Sequence, residues 1–355
     1  MRLHTLVTST TDPAARGRLL ADAFGSQIRR NVADYLGHFA AKGIEADTVR
    51  SIAVASHDAL RAWDEPLAVE LDAQADALGI ERWQLAALNA RTEVLAAAPP
   101  SREGECSTAV VVRPGAAPAT LQTWDWHPHL AADGLLHELT TGNRGVKLFA
   151  EFGMSGKIGV NSDGLGVHFN ILSHQEDHTG GGVSVHSIAR SVLERAATLE
   201  EAVALTADVE VSASTVLTVV EGGAAPRAAS IEFSPRGRRV VSRTEDGWVL
   251  HTNHFLAEDL HDGDTMPADS TTAERFAYLR EATSGLTAAT SADLARGLAC
   301  PAGGESVLGM RPDPAAPAID RWESLLTIGL DVRDFALIYS TEDPDTAAIS
   351  GFDTF

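Results

Sequence analysis

Ser101–Trp126, SREGECSTAVVVRPGAAPATLQTWDW, is the stretch on which the reading of this chain turns. Its opening is polar and turn-rich, with Gly104 following Pro99 and Pro100. Two strand patterns come next, Cys106–Arg113 and Thr120–Trp126, joined by PGAAPA as a hairpin-like unit. Cys106 stands where the loop ends and the strand begins. A nucleophile at such a point can cut the chain just before itself. A free cysteine is also readable as a small buried hydrophobe. Two local features favour chemistry: the polar lead-in should leave the start of the strand exposed, and alternation puts Cys106, Thr108 and Val110 on one face. Thr108 is then placed to donate a hydroxyl beside the thiol.

Upstream, the pattern is helical. Leu20, Phe24, Ile28, Val32, Leu36 and Phe39 form one apolar stripe ending near Gly43. Asp47 can cap a second helix, a third runs from about Pro66 to a stop at Gly79, and a fourth starts near Glu81. Residues 3–8 suggest a first strand. Downstream, short strands alternate with Gly and Asn-Ser-Asp-Gly turns. Gly180–Gly182 reads as a flexible link into a helix over about Val183–Ala197, and further helices are expected at Thr271–Ala282 and Ser291–Ala299. Gly303–Asp320 reads as loop, and SLLTIGLDV and FALIYS close the chain as strands. Helices first, then antiparallel strands with helices inserted, describe a layered α+β domain. No composition shift divides residues 1–355.

Of the 355 residues, 49 are acidic and 28 basic, a net charge of −21, and only Lys42, Lys147 and Lys157 are lysines. That balance argues against nucleic acid or an anionic membrane as partner, since both need a basic patch. The N-terminus has no apolar core of signal-peptide length before Asp12 and Pro13, and no apolar run is long enough for a membrane span. Two cysteines, Cys106 and Cys300, make no disulfide framework, and a reducing cytoplasm is the expected setting.

Two further residues invite chemistry. Asp125 lies between Trp124 and Trp126, on the face of Thr123 and His127, with the indoles on the other. It can be an edge-strand or turn-capping carboxylate, or one that holds a protonated amine or orients substrate. Asn253, in VLHTNHF, is out of place in a strand. It either ends that strand or supplies an N–H to an oxyanion. His251 and His254 fall on opposite faces and make poor joint metal ligands. GMSGK (Gly153–Lys157) is too short for a phosphate loop and has no Ser or Thr after its lysine. No metal site and no cofactor is expected.

Taken together, LNARTEV (88–94), CSTAV (106–110), LQTWDW (121–126), GKIGVNSDGLGVHFNIL (156–172), IEFSP (231–235) and HTNHF (251–255) resemble the isopenicillin-N acyltransferase family. That family belongs to the N-terminal-nucleophile hydrolases. Asp269-Ser270 and LLTIGLDV also fit, so the resemblance runs through nearly the whole chain in order. It implies a four-layer αββα fold, made as a precursor that cuts itself between Glu105 and Cys106 into pieces 1–105 and 106–355. By position, Cys106 is implied as the nucleophile, Thr108 as a nearby hydroxyl, Asp125 as the motif aspartate, Asn253 as the oxyanion asparagine and Arg321 as a site arginine. Three positions depart from the pattern: Glu105 where glycine is familiar, Thr123 where asparagine is, and Asp320 where a serine supports processing.

The chemistry that follows needs only the chain. Cys106 attacks the Glu105 carbonyl, the acyl group shifts from nitrogen to sulfur, and water releases it. The freed α-amine, with an ordinary pKa of about 7.7–8, can then serve as base. The thiolate attacks a substrate amide and forms a thioester acyl-enzyme. The expected reaction is hydrolysis of a small non-peptide amide, of N-acyl or β-alanyl amine type. Acyl transfer to an amine is the alternative, and an uncut, non-catalytic small-molecule binder is a third reading. Trp124, Trp126 and Phe169 could line an apolar pocket or simply pack the core. The expected partners are the amide substrate and the protein's own cleaved N-terminal piece. The oligomeric state is left open.

Overall fold

A computed structural model describes residues 1–98, 105–267, 269–299 and 306–355. Most of the polar lead-in to Cys106, Cys300 with any pairing to Cys106, and the start of the Gly303–Asp320 loop lie outside these. Strand β1 (Arg2–Thr8) precedes five helices: α1 (Pro13–Ala41), α2 (Ala46–Trp63), α3 (Glu65–Leu78), α4 (Arg82–Asn89) and α5 (Arg91–Leu95). Their ends follow local chemistry. Asp12 caps α1 by accepting from the Ala14 N–H, and Pro13 sits where no intrahelical N–H is needed. Asp64 closes α2 and caps α3 through the Leu67 N–H. Gly79 ends α3 at φ 64°, a conformation glycine takes without strain. Asp47 falls in the first turn of α2, and Glu45 occupies its N-cap.

Strands follow: β2 (Ser107–Val111), β3 (Ala119–Trp126), β4 (Asp133–Thr141), β5 (Arg144–Ala150), β6 (Ile158–Asn161) and β7 (Leu165–Ile171). Helices α6 (Val185–Arg195) and α7 (Leu199–Leu205) interrupt them. Next are β8 (Thr215–Glu221), β9 (Arg227–Ser234), β10 (Gly237–Ser242) and β11 (Trp248–His251). Helices α8 (Glu258–His261), α9 (Thr272–Ala282) and α10 (Ser291–Leu298) precede β12 (Glu323–Asp331) and β13 (Ala336–Ser340). The chain does not end on these two strands: α11 (Pro344–Ser350) and β14 (Asp353–Thr354) follow.

Among the described residues, eight strands form one sheet in the order β1-β4-β5-β6-β7-β8-β9-β10, and six form a second, β11-β2-β3-β12-β13-β14. All neighbours are antiparallel except β1, which runs parallel to β4. The sheets pack face to face through β2 and β12 of the smaller against β6 and β7 of the larger. Helices α6 and α7 cover the larger sheet, and α9, α10 and α11 the smaller. The result is the four-layer αββα arrangement. The α1–α5 bundle is tied to the larger sheet by buried polar contacts. Asn31 donates to the Phe152 carbonyl, Asn89 accepts from the Ser155 N–H, and Arg91 pairs with Glu151 at 2.8 Å.

The glycines read as a flexible link before α6 do a different job. A Cβ on Gly181 would stand 2.4 Å from that of Ala55, and one on Gly182 would stand 2.6 Å from the Ser212 nitrogen. They are small because backbones touch there.

Candidate active site

The lead-in to β2 does not leave the strand's start exposed. Glu105 and Cys106 are 1% and 2% accessible. What makes burial of the Glu105 charge tolerable is the start of α9. Its carboxylate accepts from the Ser270 hydroxyl at 2.7 Å, the Thr271 N–H at 3.0 Å and the Thr271 hydroxyl at 2.6 Å. The Arg275 guanidinium lies 3.7 Å away. Burial pushes this carboxyl up, but Arg275 and the Thr271 and Ser270 donors outweigh it and hold it below the usual carboxylate range.

The backbone of Cys106 is held at both of its polar groups. The Cys106 N–H donates to Asn253 Oδ1 at 2.8 Å, and the Cys106 carbonyl accepts from Arg275 Nη1 at 2.7 Å. Arg275 also donates to the Ser107 hydroxyl and to Asn253 Oδ1, at 2.9 and 3.0 Å. The Glu105–Cys106 bond therefore lies inside a cage of Glu105, Asn253, Arg275, Ser270 and Thr271.

Asn253 is not in a strand: β11 stops at His251, and Asn253 sits in the bend beyond. Its side-chain orientation follows from its partners. Two pure donors, the Cys106 N–H and Arg275, face the oxygen, while Nδ2 donates to the Ile171 carbonyl at 2.9 Å. In the uncut chain it presents an acceptor to Cys106, and an oxyanion role requires Nδ2 to leave Ile171.

Ser107 pairs with Thr123, so continuing the register sets Cys106 opposite Trp124, facing the core between the sheets. Burial, with Asp125 adding to it, pushes the thiol up to about 12, while a backbone hydrogen bond from Asp125 and the charges of Lys157 and Arg275 act the other way. Lys157 is fully buried. Its Nζ is 2.5 Å from Glu151 and 3.8 Å from the centre of the Trp124 ring. Burial and the neighbouring Arg91 bring it down to about 7, against the pull of Glu151.

The side chain of Asp125 lies on the other face of β3, as alternation requires, and accepts from Ser324 at 2.5 Å. Burial pushes it up to about 8 despite that bond and the Arg275 charge. A carboxyl raised in the folded state keeps its proton when the unfolded chain has lost it. Its contribution to stability is present below the ordinary carboxylate pKa and is lost as pH climbs through about 8. Asp125→Asn in a Cys106→Ala background should flatten the fall of the urea midpoint across that window. Midpoints measured at a series of pH values check it, and two parallel curves would contradict it.

The other expected residues are more dispersed. Thr108 Oγ1 donates across to Asn170 Oδ1 at 2.7 Å and so links the two sheets. Arg321 donates to the carbonyls of Ala316 and Pro314, both at 2.7 Å, and so braces its own loop. The arginine that reaches Cys106 is Arg275. Trp126 lines a cavity of about 260 Å³ with Leu95, Ile171, Met266 and Pro267. Trp124 and Phe169 are outside its wall; Trp124 carries Lys157, and Phe169 packs on His186 with centroids 5.1 Å apart. The cavity adjoins the cage through Ile171, whose carbonyl holds Asn253.

Sequence reasoning missed Arg275 and Lys157. Lys157 carried a usable signal, a lone lysine opening an apolar strand, because a lysine is almost never fully buried unless paired. Arg275 carried a weaker one, its place one turn past Asp269-Ser270. Among the described residues, no three His, Cys, Asp or Glu side chains gather as a metal would require. No helix among them is long and apolar enough to cross a membrane.

Known proteins share parts of this chain. It is 31% identical over 176 residues to the 40 kDa form of acyl-coenzyme A:6-aminopenicillanic-acid-acyltransferase of Emericella nidulans. That stretch covers 49% of this chain and 47% of the relative, so the match spans about half of the relative's length. Penicillin V acylase from Agrobacterium tumefaciens aligns with a TM-score of 0.37 and 15% identity, over 66% of this chain and 83% of its own. A mutant of conjugated bile acid hydrolase from Clostridium perfringens aligns with a TM-score of 0.39 and 10% identity, over 70% of this chain and 92% of its own. Residues 112–298, more than half of the sequence, match the family described as acyl-coenzyme A:6-aminopenicillanic acid acyl-transferase, and the chain belongs to that family.

Proposed function

We propose that this protein is a self-processing amidohydrolase whose nucleophile is Cys106. The carrying observation is the hold on the two residues that flank the Glu105–Cys106 bond: Asn253 takes the Cys106 N–H at 2.8 Å, Arg275 anchors the carbonyl on the far side of Cys106 at 2.7 Å, and Ser270 and Thr271 fix the Glu105 side chain. Restricting a reacting bond in this way removes rotational freedom that the reaction would otherwise have to lose. In the first step the Cys106 sulfur bonds to the Glu105 carbonyl carbon, the C–N bond breaks, and the thiol proton ends on the nitrogen. Water then cleaves the thioester and leaves a Glu105 carboxylic acid and a free Cys106 thiol. The new α-amine lies beside Asn253 Oδ1, which can hold its lone pair toward the sulfur. In the mature protein that amine takes the thiol proton, and the thiolate attacks the carbonyl of a small amide. The cavity beside Ile171 offers room for part of that substrate. Lys157 supplies positive charge near the thiolate.

Transfer of the acyl group to an amine is the second reading, and the acyltransferase relative is what favours it. Incubation of the purified chain, followed by intact mass and N-terminal sequencing, tests the first step. Two pieces are expected, the larger beginning Cys-Ser-Thr-Ala. A chain that stays whole through prolonged incubation across neutral and mildly alkaline pH would leave only a binding role.

A further inference from the structure

The Glu105 carboxylate occupies a built site: Ser270 Oγ, Thr271 N–H and Oγ1, all within 3.0 Å, at the start of the 11-residue helix α9, with Arg275 behind them. Resting on the self-cleavage reading, we propose that the mature enzyme uses this site to bind the far carboxylate of its acyl donor. The preferred substrates are then amides of a five-carbon dicarboxylic acid, of glutaryl type.

The thioester formed in self-cleavage, Cys106 Sγ bonded to the Glu105 carbonyl carbon, is itself an acyl-enzyme. Its acyl group has a carboxylate on the fifth carbon counted from the reacting carbonyl: the carbonyl, Cα, Cβ, Cγ and the carboxyl carbon. In the later catalytic cycle the same sulfur bonds to a substrate carbonyl carbon, and the amide nitrogen leaves with a proton. Water then returns the thiol and releases the free acid. The carbonyl of a glutaryl amide stands where that of Glu105 stood, and its chain reaches the same donors.

Once water has released Glu105 from Cys106, the proposal requires its side chain to withdraw with the new C-terminus of the 1–105 piece. Three donors and a guanidinium then face a buried space that water serves poorly. Such a site favours a carboxylate over a methyl group, because an unmatched buried donor is costly. Succinyl and adipyl chains place the charge one carbon short or one carbon long.

The test uses the processed wild-type protein, with cleavage verified by intact mass and rates normalised to the cleaved fraction. Release of p-nitroaniline is followed from glutaryl, succinyl, adipyl and pentanoyl p-nitroanilides. The expected kcat/KM for glutaryl exceeds that for pentanoyl by about tenfold to a hundredfold, the range for a hydrogen-bonded charge, and exceeds both other diacids. Thr271→Val, which removes one donor and keeps Arg275, should lower the glutaryl-to-pentanoyl ratio. A cleaved protein that turns over pentanoyl as fast as glutaryl, or neither, overturns the acyl assignment and leaves self-processing standing. A ratio unchanged in Thr271→Val overturns the site. A chain that never cleaves brings down the self-cleavage reading and the acyl assignment with it.

Discussion

Cys106→Ala should remain a single 355-residue polypeptide under conditions in which the wild type is expected to separate into residues 1–105 and 106–355. It should also lose amide hydrolysis by on the order of a millionfold, the scale seen when a covalent nucleophile is removed. Both losses have one cause. In the proposed mechanism the sulfur forms the thioester in the first step, and the amine exposed by that step is the base for every later one. Cys106→Ser separates the two. A hydroxyl bonds to the Glu105 carbonyl carbon more slowly, so cleavage should persist at a much reduced rate. Because the thiol is pushed up to about 12 in the uncut chain, wild-type cleavage should quicken as pH rises above neutrality. Denaturing gels and intact masses over a time course provide the readout. A Cys106→Ala chain that still separates between residues 105 and 106 would disprove the assignment.

Arg275→Met has the second large expected effect. Arg275 is fully buried and reaches Cys106, Ser107, Asn253, Thr271 and Glu105 from one turn of α9. Its loss strands the Cys106 carbonyl and removes the charge that keeps Glu105 ionised in spite of burial. Breaking a buried ion pair from one side costs about 3–5 kcal/mol. A loss of that size should appear as a lowered urea midpoint in a Cys106→Ala background, where no cleavage complicates the transition. In the cleavable chain the same substitution should slow processing by about a hundredfold, the scale for displacing reacting groups by roughly an ångström. Wild-type processing in Arg275→Met would show that the cage does not govern the reaction.

The two effects differ in kind. Cys106→Ala removes a reacting atom and should cost only about 1 kcal/mol of stability, since one buried sulfur is lost and a small cavity is left. Arg275→Met leaves the reacting atoms in place and removes the geometry around them. Measuring stability and processing in both separates chemistry from positioning.

Much of this protein was readable along the chain because the responsible forces are local. The apolar stripe of α1, the Gly79 stop and the alternation that turns Asp125 away from Trp124 depend on neighbours a few residues apart. Cys106 stood out by its place between loop and strand, and Asn253 by sitting awkwardly among β-formers. Its explanation was local as well, since the strand ends two residues earlier.

What escaped the sequence was the set of partners. Glu105 looked like a charge out of place before a nucleophile, and only the fold shows that it docks on Ser270 and Thr271, some 165 residues away. Arg275 and Lys157 are charges that water would ordinarily claim. They are buried because two sheets and a helix converge on Cys106 and bring acceptors with them, which no spacing rule encodes. Arg321, attractive by position, spends its guanidinium on its own loop, and Thr108 reaches across to Asn170. Residue type and periodicity decided the elements and singled out Cys106 as a candidate. The packing of one layer on another decided which polar groups lost their water, and so which of them had to find each other.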